Sequence, residues 1–246
     1  MTSTIDENEV KKFSIIADEW WDERGKFKPL HKFNPIRISF IRQKILDHLS
    51  KSEAIISEQK SIFSNLDILD VGCGGGLISE PLARIGANVT AIDASEKNIQ
   101  IAKIHAKKSE LKIEYLVSSV EEMAKSEKKF DVVLALEIIE HVADVELFIK
   151  SCSDLVKTGG ILFVATINRT PKSLVLAKFA AEYLLRWLPA GTHNWEKFVK
   201  PSELNESAEK HGLTLKSITG FSYNILKDEW KMVEEVNVNY IAIFQK

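Results

Sequence analysis

Two carboxylates and an imidazole fall within five residues, at Glu137-Ile138-Ile139-Glu140-His141. That set of side chains supports three different roles. It can hold a hard divalent cation through carboxylate oxygens, although an imidazole suits such an ion less well. It can take a proton from a hydroxyl, with Glu140 or His141 as a general base. Or Glu140 and His141 can simply cap the helix that follows. The residue types alone leave all three open.

A second constellation lies upstream, in Asp67-Ile68-Leu69-Asp70-Val71-Gly72-Cys73-Gly74-Gly75-Gly76. Four glycines fall within five positions, directly after an apolar run. Glycines there permit a tight turn and the close approach of a ligand to the backbone. The helix that follows offers free N–H groups and a positive dipole end. The dinucleotide fingerprint is G-x-G-x-x-G/A, and Leu77 occupies its third small-residue slot. Asp93 follows Gly72 by 21 residues and is placed to accept hydrogen bonds from ribose hydroxyls. Nicotinamide enzymes use the same device, so Asp93 alone does not choose the cofactor. A bare tight turn and a helix N-cap are the structural alternatives for the glycines and for Asp93.

The surrounding pattern predicts what positions these groups. Short apolar strands are expected over 68–71, 89–92, 113–117, 130–136 and 161–167, with a turn over 157–160. Helices are expected over 77–85, 95–108 and 145–155, with Ser95 as an N-cap and Gly86 as a C-cap. The first 50 residues read as helical with a break over 25–35, and residues 51–66 read as a polar loop. A long apolar helix over 171–188 interrupts the alternation. A helix near 201–211 and strands near 213–220 and 236–244 follow, the two strands forming an antiparallel edge pair. This is an α/β chain with a doubly wound, mostly parallel, seven-stranded sheet. We expect one domain over 1–246: a helical cap over 1–50, a nucleotide-binding core over 66–170, an inserted helix or lid over 171–200, and closing elements over 201–246.

Composition bounds the function. A net charge of −2 gives no basic footprint for nucleic acid. Two cysteines, Cys73 and Cys152, make no disulfide framework and read as packing residues in a reducing compartment. The polar, acidic start is no secretory signal, and no uninterrupted apolar run reaches membrane-spanning length.

D-V-G-C-G-G-G, the strand ending in Asp93 and Leu136-Glu137-Ile138-Ile139-Glu140-His141-Val142 resemble class I S-adenosylmethionine-dependent methyltransferases. Trp20-Trp21-Asp22, Phe27-Lys28-Pro29-Leu30-His31, Asn34-Pro35-Ile36-Arg37, Asn168-Arg169, Gly191-Thr192-His193 and Asn237-Val238-Asn239-Tyr240 narrow the resemblance. Together they resemble the O-methyltransferases of ubiquinone biosynthesis, from about residue 10 to 242. The resemblance implies methyl transfer to a phenolic hydroxyl of a polyprenylated catechol or quinol, at both O-methylation steps. It implies S-adenosylmethionine contacts at Arg37, Gly72, Asp93 and Leu136, with Gly74 in the same loop. Arg37 would pair with the methionine carboxylate. It also favours a Mg²⁺ site at Glu137, Glu140 and His141, against the metal-free base. It admits association with other enzymes of ubiquinone biosynthesis.

Residues 172–188 carry Lys178, Glu182 and Arg186 as one narrow polar stripe on an otherwise apolar helix. From 172 to 200 there are five basic residues against two acids, in a chain of net charge −2. That profile suits a helix lying in an anionic bilayer surface, where a polyprenyl tail resides. A lid over the active site or a dimer contact would use the same pattern. The expected location is cytoplasmic, peripherally on the inner face of the membrane. Three rivals are weighed: a class I methyltransferase with another small acceptor, a nicotinamide-dependent oxidoreductase, and an inactive lipid-surface protein. Leu77 argues against the second, and the intact acidic cluster against the third.

Overall fold

Residues 130–136 show how the sheet is built. Strand β4 (Phe130–Leu136) sends Val132, Leu134 and Leu136 into one apolar cluster and Val133 and Ala135 into another. Both faces are covered, so the run reads apolar throughout instead of alternating. The computed structural model describes residues 3–50, 62–175, 194–224 and 226–246. The remaining strands are β1 (Asp67–Val71), β2 (Asn88–Asp93), β3 (Glu114–Val117), β5 (Val156–Ile167), β6 (Thr214–Asn224), β7 (Glu229–Val233) and β8 (Asn239–Gln245). They form an eight-stranded sheet in the order β3-β2-β1-β4-β5-β8-β6-β7. The first five are parallel, and β8, β6 and β7 are antiparallel.

Helices α2 (Lys28–Ser50), α3 (Ser79–Arg84) and α4 (Glu96–Lys108) cover one face. Helices α5 (Val120–Ala124), α6 (Val145–Leu155) and α7 (Pro201–Lys210) cover the other. Helix α1 (Glu7–Ile15) precedes them and buries none of its residues. Ser95 caps α4 by accepting from the Asn98 N–H, as its position predicts. Cys73 and Cys152 are free and buried. Among the described residues, no helix is long and apolar enough to cross a membrane.

Four expectations need correction. The sheet has eight strands, not seven. The added β7 pairs with β6; its EWKMV alternates over only four residues and is half exposed, too short a signal to be read as a strand without its partner. Strand β8 is not at the edge: it lies between β5 and β6, and β7 is the terminal strand. The 157–160 turn lies inside the bounds of β5, where pairing with β4 jumps from Phe130↔Val156 to Val132↔Ile161. Finally, α2 runs straight through Pro35. Proline removes one helical hydrogen bond. Phe33, stacked on Trp230 at 4.2 Å, anchors the turn beside it to the sheet. Of the inserted helix, one turn at Pro171–Ser173 is seen, capped by Thr170. The bulk of the 172–188 prediction, with 51–61 and Gly191-Thr192-His193, lies outside the described residues.

Candidate active site

In a doubly wound sheet, ligands bind beyond the carboxyl ends of the strands, where the strand order reverses. Here that point lies between β1 and β4. Gly72 leaves β1 and Glu137 leaves β4 at this place.

The glycine turn is forced by its neighbours as well as by its backbone. Gly72, Gly74 and Gly76 have φ of 71°, 54° and 89°, where side chains are strained. A Cβ on Gly72 would sit 2.0 Å from Ile138 Cδ1. On Gly74 or Gly75 it would sit 2.3 or 2.5 Å from Trp20. At Gly74 and Gly75 the group that approaches this backbone too closely for side chains is thus an indole of the protein itself; at Gly72 it is Ile138 and at Gly76 it is Tyr115. Trp20 Nε1 donates to Asn98 Oδ1 at 2.9 Å, and Trp21 Nε1 donates to the Gly75 carbonyl at 2.9 Å.

Asp93 ends β2 and ties the turn together. It accepts from Gly74 N at 2.9 Å, Ser95 N at 2.8 Å and Asn98 Nδ2 at 3.2 Å. Burial raises its pKa, and these three donors oppose the rise. The N-cap of α4 is Ser95, so Asp93 is not spent on capping.

A cavity of about 130 Å³ opens over this turn. Gly72, Gly74, Asp93, Glu137 and His141 line it, as do Ser118 and Ser119. Its other wall is the N-terminal segment: Thr4, Asp6, Glu9, Val10, Phe13 and Trp20. Arg37, Leu136 and Glu140 do not line it. Leu136 is buried at the end of β4. Arg37 is 3% exposed and joins the cavity through Glu137, donating from Nη1 to Oε1 at 3.3 Å. Its Nη2 donates to Asn34 Oδ1, its Nε has no hydrogen-bond partner, and its guanidinium lies 4.9 Å from the Phe33 ring centre.

The acidic cluster is held by three separate partners. Glu137 has φ of 54°, a strained conformation for a non-glycine residue, and its N–H donates to the Ala165 carbonyl at 2.9 Å. Burial pushes its carboxyl up to about 7; the charge of Glu140 adds to this and Arg37 opposes it. Glu140 is buried, with Oε2 accepting from Thr166 Oγ1 at 2.8 Å and Oε1 unpartnered. His141 Nδ1 lies 2.9 Å from Glu9 Oε2, and Phe13 meets the ring edge-on at 5.0 Å. Burial works against the imidazolium, but the Glu9 hydrogen bond and the charges of Glu140, Glu9 and Glu137 outweigh it, so the His141 pKa is raised.

In this arrangement each of the three groups has a partner of its own. Glu137 already faces the Arg37 guanidinium, Glu140 faces Thr166, and His141 faces Glu9. Among the described residues, no three His, Cys, Asp or Glu side chains converge as a metal site. Sequence reasoning missed Glu9 and Thr166 altogether. They lie 132 and 26 residues from their partners, and no local spacing signals either contact.

A family model described as a methyltransferase domain matches residues 69–164. The chain is 54% identical over 244 residues to the ubiquinone biosynthesis O-methyltransferase of Pelagibacter ubique (strain HTCC1062), covering 99% of each. It is 47% identical to that of Chelativorans sp. (strain BNC1), covering 99% of this chain and 95% of the relative. A solved structure of magnesium protoporphyrin IX methyltransferase from Synechocystis PCC 6803 with bound SAH has the same fold, with a TM-score of 0.59. That match covers 95% of this chain and 99% of the other, at 16% identity. Identity of this extent over nearly the full length settles the family: the chain belongs to the ubiquinone biosynthesis O-methyltransferases, S-adenosylmethionine-dependent enzymes with a Rossmann-like fold.

Proposed function

We propose that the protein methylates a phenolic hydroxyl of a polyprenylated catechol or quinol in ubiquinone biosynthesis, at both O-methylation steps. The observation that carries this reading is the 54% identity over 99% of the chain, which extends well past the shared core at 69–164. S-adenosylmethionine supplies an electrophilic methyl group when bound. Gly72, Gly74 and Asp93 would hold its nucleoside side, Leu136 would give apolar contact, and Arg37 would pair with its methionine carboxylate.

The acceptor chemistry follows from the cluster. A phenol has a pKa near 10, by analogy with tyrosine, so its oxygen must lose a proton as it attacks. Glu137 lines the cavity, and its carboxyl is pushed up to about 7. That is a proton affinity suited to a general base near neutral pH. Glu137 would take the hydroxyl proton as the oxygen attacks the methyl group that bound S-adenosylmethionine would supply, S-adenosylhomocysteine being the leaving group. His141, biased toward its charged form by Glu9, places positive charge beside the developing phenolate. Holding the two reactants in line can lower the barrier by roughly 7–11 kcal/mol.

The metal reading and the metal-free reading separate in one assay. Transfer of labelled methyl to a short-chain demethylubiquinol is expected to persist when divalent cations are removed with chelator. Activity lost with chelator and restored by Mg²⁺ would show that Glu137, Glu140 and His141 regroup around an ion.

We further propose that the protein works peripherally at the inner face of a membrane, with residues 172–188 on anionic lipid. Support comes from the charge pattern of that segment and from a polyprenyl tail that partitions at about 0.8 kcal/mol per buried CH₂. Flotation with anionic vesicles is expected to carry the protein along, and with neutral vesicles much less. Equal flotation with both, or none, would count against the electrostatic part.

A further inference from the structure

We propose that residues 3–15 form a strap that closes the cofactor cavity, and that Glu121, which does not line that cavity, is the positioning residue that latches it and so sets the rate of cofactor exchange. The inference rests on the cofactor reading of the cavity above and adds to it a way in and out.

Of the cavity walls, the strap is the one outside the core. Small-molecule sites usually offer about 300–1,000 Å³. This cavity offers about 130 Å³, so a wall gives way as S-adenosylmethionine enters. The turn after β1 and the ends of β2 and β4 belong to the packed sheet, and moving them would disrupt its core. Thr4, Glu9 and Phe13 line the cavity from a different kind of segment. Its helix α1 buries none of its residues and leaves Ile15 70% exposed.

The two ends of the strap are held differently. Beyond its carboxyl end the chain is anchored by apolar packing: Ala17 is fully buried, and Trp20 stacks on Phe27 at 3.7 Å. The other end is held by hydrogen bonds. Ser3 Oγ and Thr4 N each donate to Glu121 Oε1 at 2.9 Å, and Thr4 Oγ1 donates to Glu121 Oε2 at 2.6 Å. Ala143 N donates to the Thr4 carbonyl at 2.9 Å, and Lys197 Nζ donates to Asp6 Oδ2 at 2.9 Å.

Hydrogen bonds at a half-exposed surface exchange with water, whereas buried apolar contacts do not. The strap therefore opens from residue 3 and turns about residues 16–20, where a single turn of 3-10 helix links it to the anchor. Glu121 lies in the first turn of α5, just after Ser118 and Ser119, which line the cavity. One carboxylate thus ties the β3 side of the cavity to the strap. Closure also brings Glu9 to His141, so the site is complete only when the strap is shut.

The test reads exchange without turnover. Stopped-flow tryptophan fluorescence follows S-adenosylhomocysteine binding, since Trp20 lines the cavity, and gives the association and dissociation rates separately. A latch holds the strap shut with and without ligand. Glu121→Ala is therefore expected to raise both rates by at least about tenfold and to leave Kd within about twofold. Lys197→Met, at the second tie, is expected to raise both by about two- to fivefold. Glu121→Gln carries the comparison if Glu121→Ala does not fold. Unmoved rates in the Glu121 variant overturn the latch and leave Glu121 a role in α5 alone. Faster dissociation with unchanged association overturns it too, because that pattern marks a damaged binding site. Asp93→Asn separates the two levels. If it leaves the affinity unchanged, the cofactor reading of the cavity falls and the strap with it. If it weakens binding while the Glu121 rates stay put, only the latch falls.

Discussion

Glu137→Gln is expected to lose most methyl transfer and yet to gain stability above pH 7. The carboxyl of Glu137 is pushed up to about 7 from an ordinary value of 4.5, chiefly by burial. Between those two values the folded protein binds more protons than the unfolded chain. The contribution of Glu137 is therefore most favourable below about 4.5 and is lost as pH rises through about 7. A shift of this size corresponds to about 3 kcal/mol. The side chain retains 19% exposure, so solvent screening makes that an upper bound.

Unfolding curves of parent and variant, compared from pH 4 to pH 8, should diverge in the variant's favour by up to about 3 kcal/mol, or roughly 6–12 °C for a chain of this size. Parallel curves would show that Glu137 titrates near its ordinary value. Loss of a general base lowers the rate by about 10²–10⁴-fold. Full activity in the variant would move the proton to Glu140 or His141.

Asp93→Asn is expected to weaken S-adenosylmethionine binding roughly a hundredfold, equivalent to about 3 kcal/mol. Asp93 already accepts three hydrogen bonds, from Gly74 N, Ser95 N and Asn98 Nδ2. A carboxylate offers about four such positions, so one remains for a ribose hydroxyl. A second is available only if Asn98, which also holds Trp20, turns aside. The asparagine presents an NH₂ where one of the two backbone N–H groups needs an acceptor. Either the glycine turn or the start of α4 then loses its tie, and the charge that strengthens a ribose contact is gone. Titration calorimetry with S-adenosylmethionine measures the effect. An unchanged affinity would show that the ribose is not held at Asp93.

The legible parts of the fold share one property: their signals are local. Strands β1, β2 and β4 are short apolar runs ending at a glycine or an acid, and Ser95 caps α4 three residues before the N–H it accepts. The illegible parts draw their order from distant partners. Strand β7 is half exposed and exists because β6 turns back to pair with it. Helix α2 persists through Pro35 because its aromatic side chains pack on β6 and β7.

The candidate site divides in the same way. By itself the sequence carried the family resemblance, through short segments spread from residue 20 to 240, and with it the cofactor class; glycine spacing and strand-end acids, which act over a few residues, marked the group of candidate residues. What each group is free to do was decided only by the tertiary structure. Glu137, Glu140 and His141 are neighbours in sequence, yet they are bound to Arg37, Thr166 and Glu9, which lie 100, 26 and 132 residues away. A carboxylate facing a guanidinium and one facing a threonine hydroxyl have different charges beside them and different free oxygens. Folding alone brings those partners into contact, which is why E-x-x-E-H reads as three chemistries in the sequence and meets three separate partners in the fold.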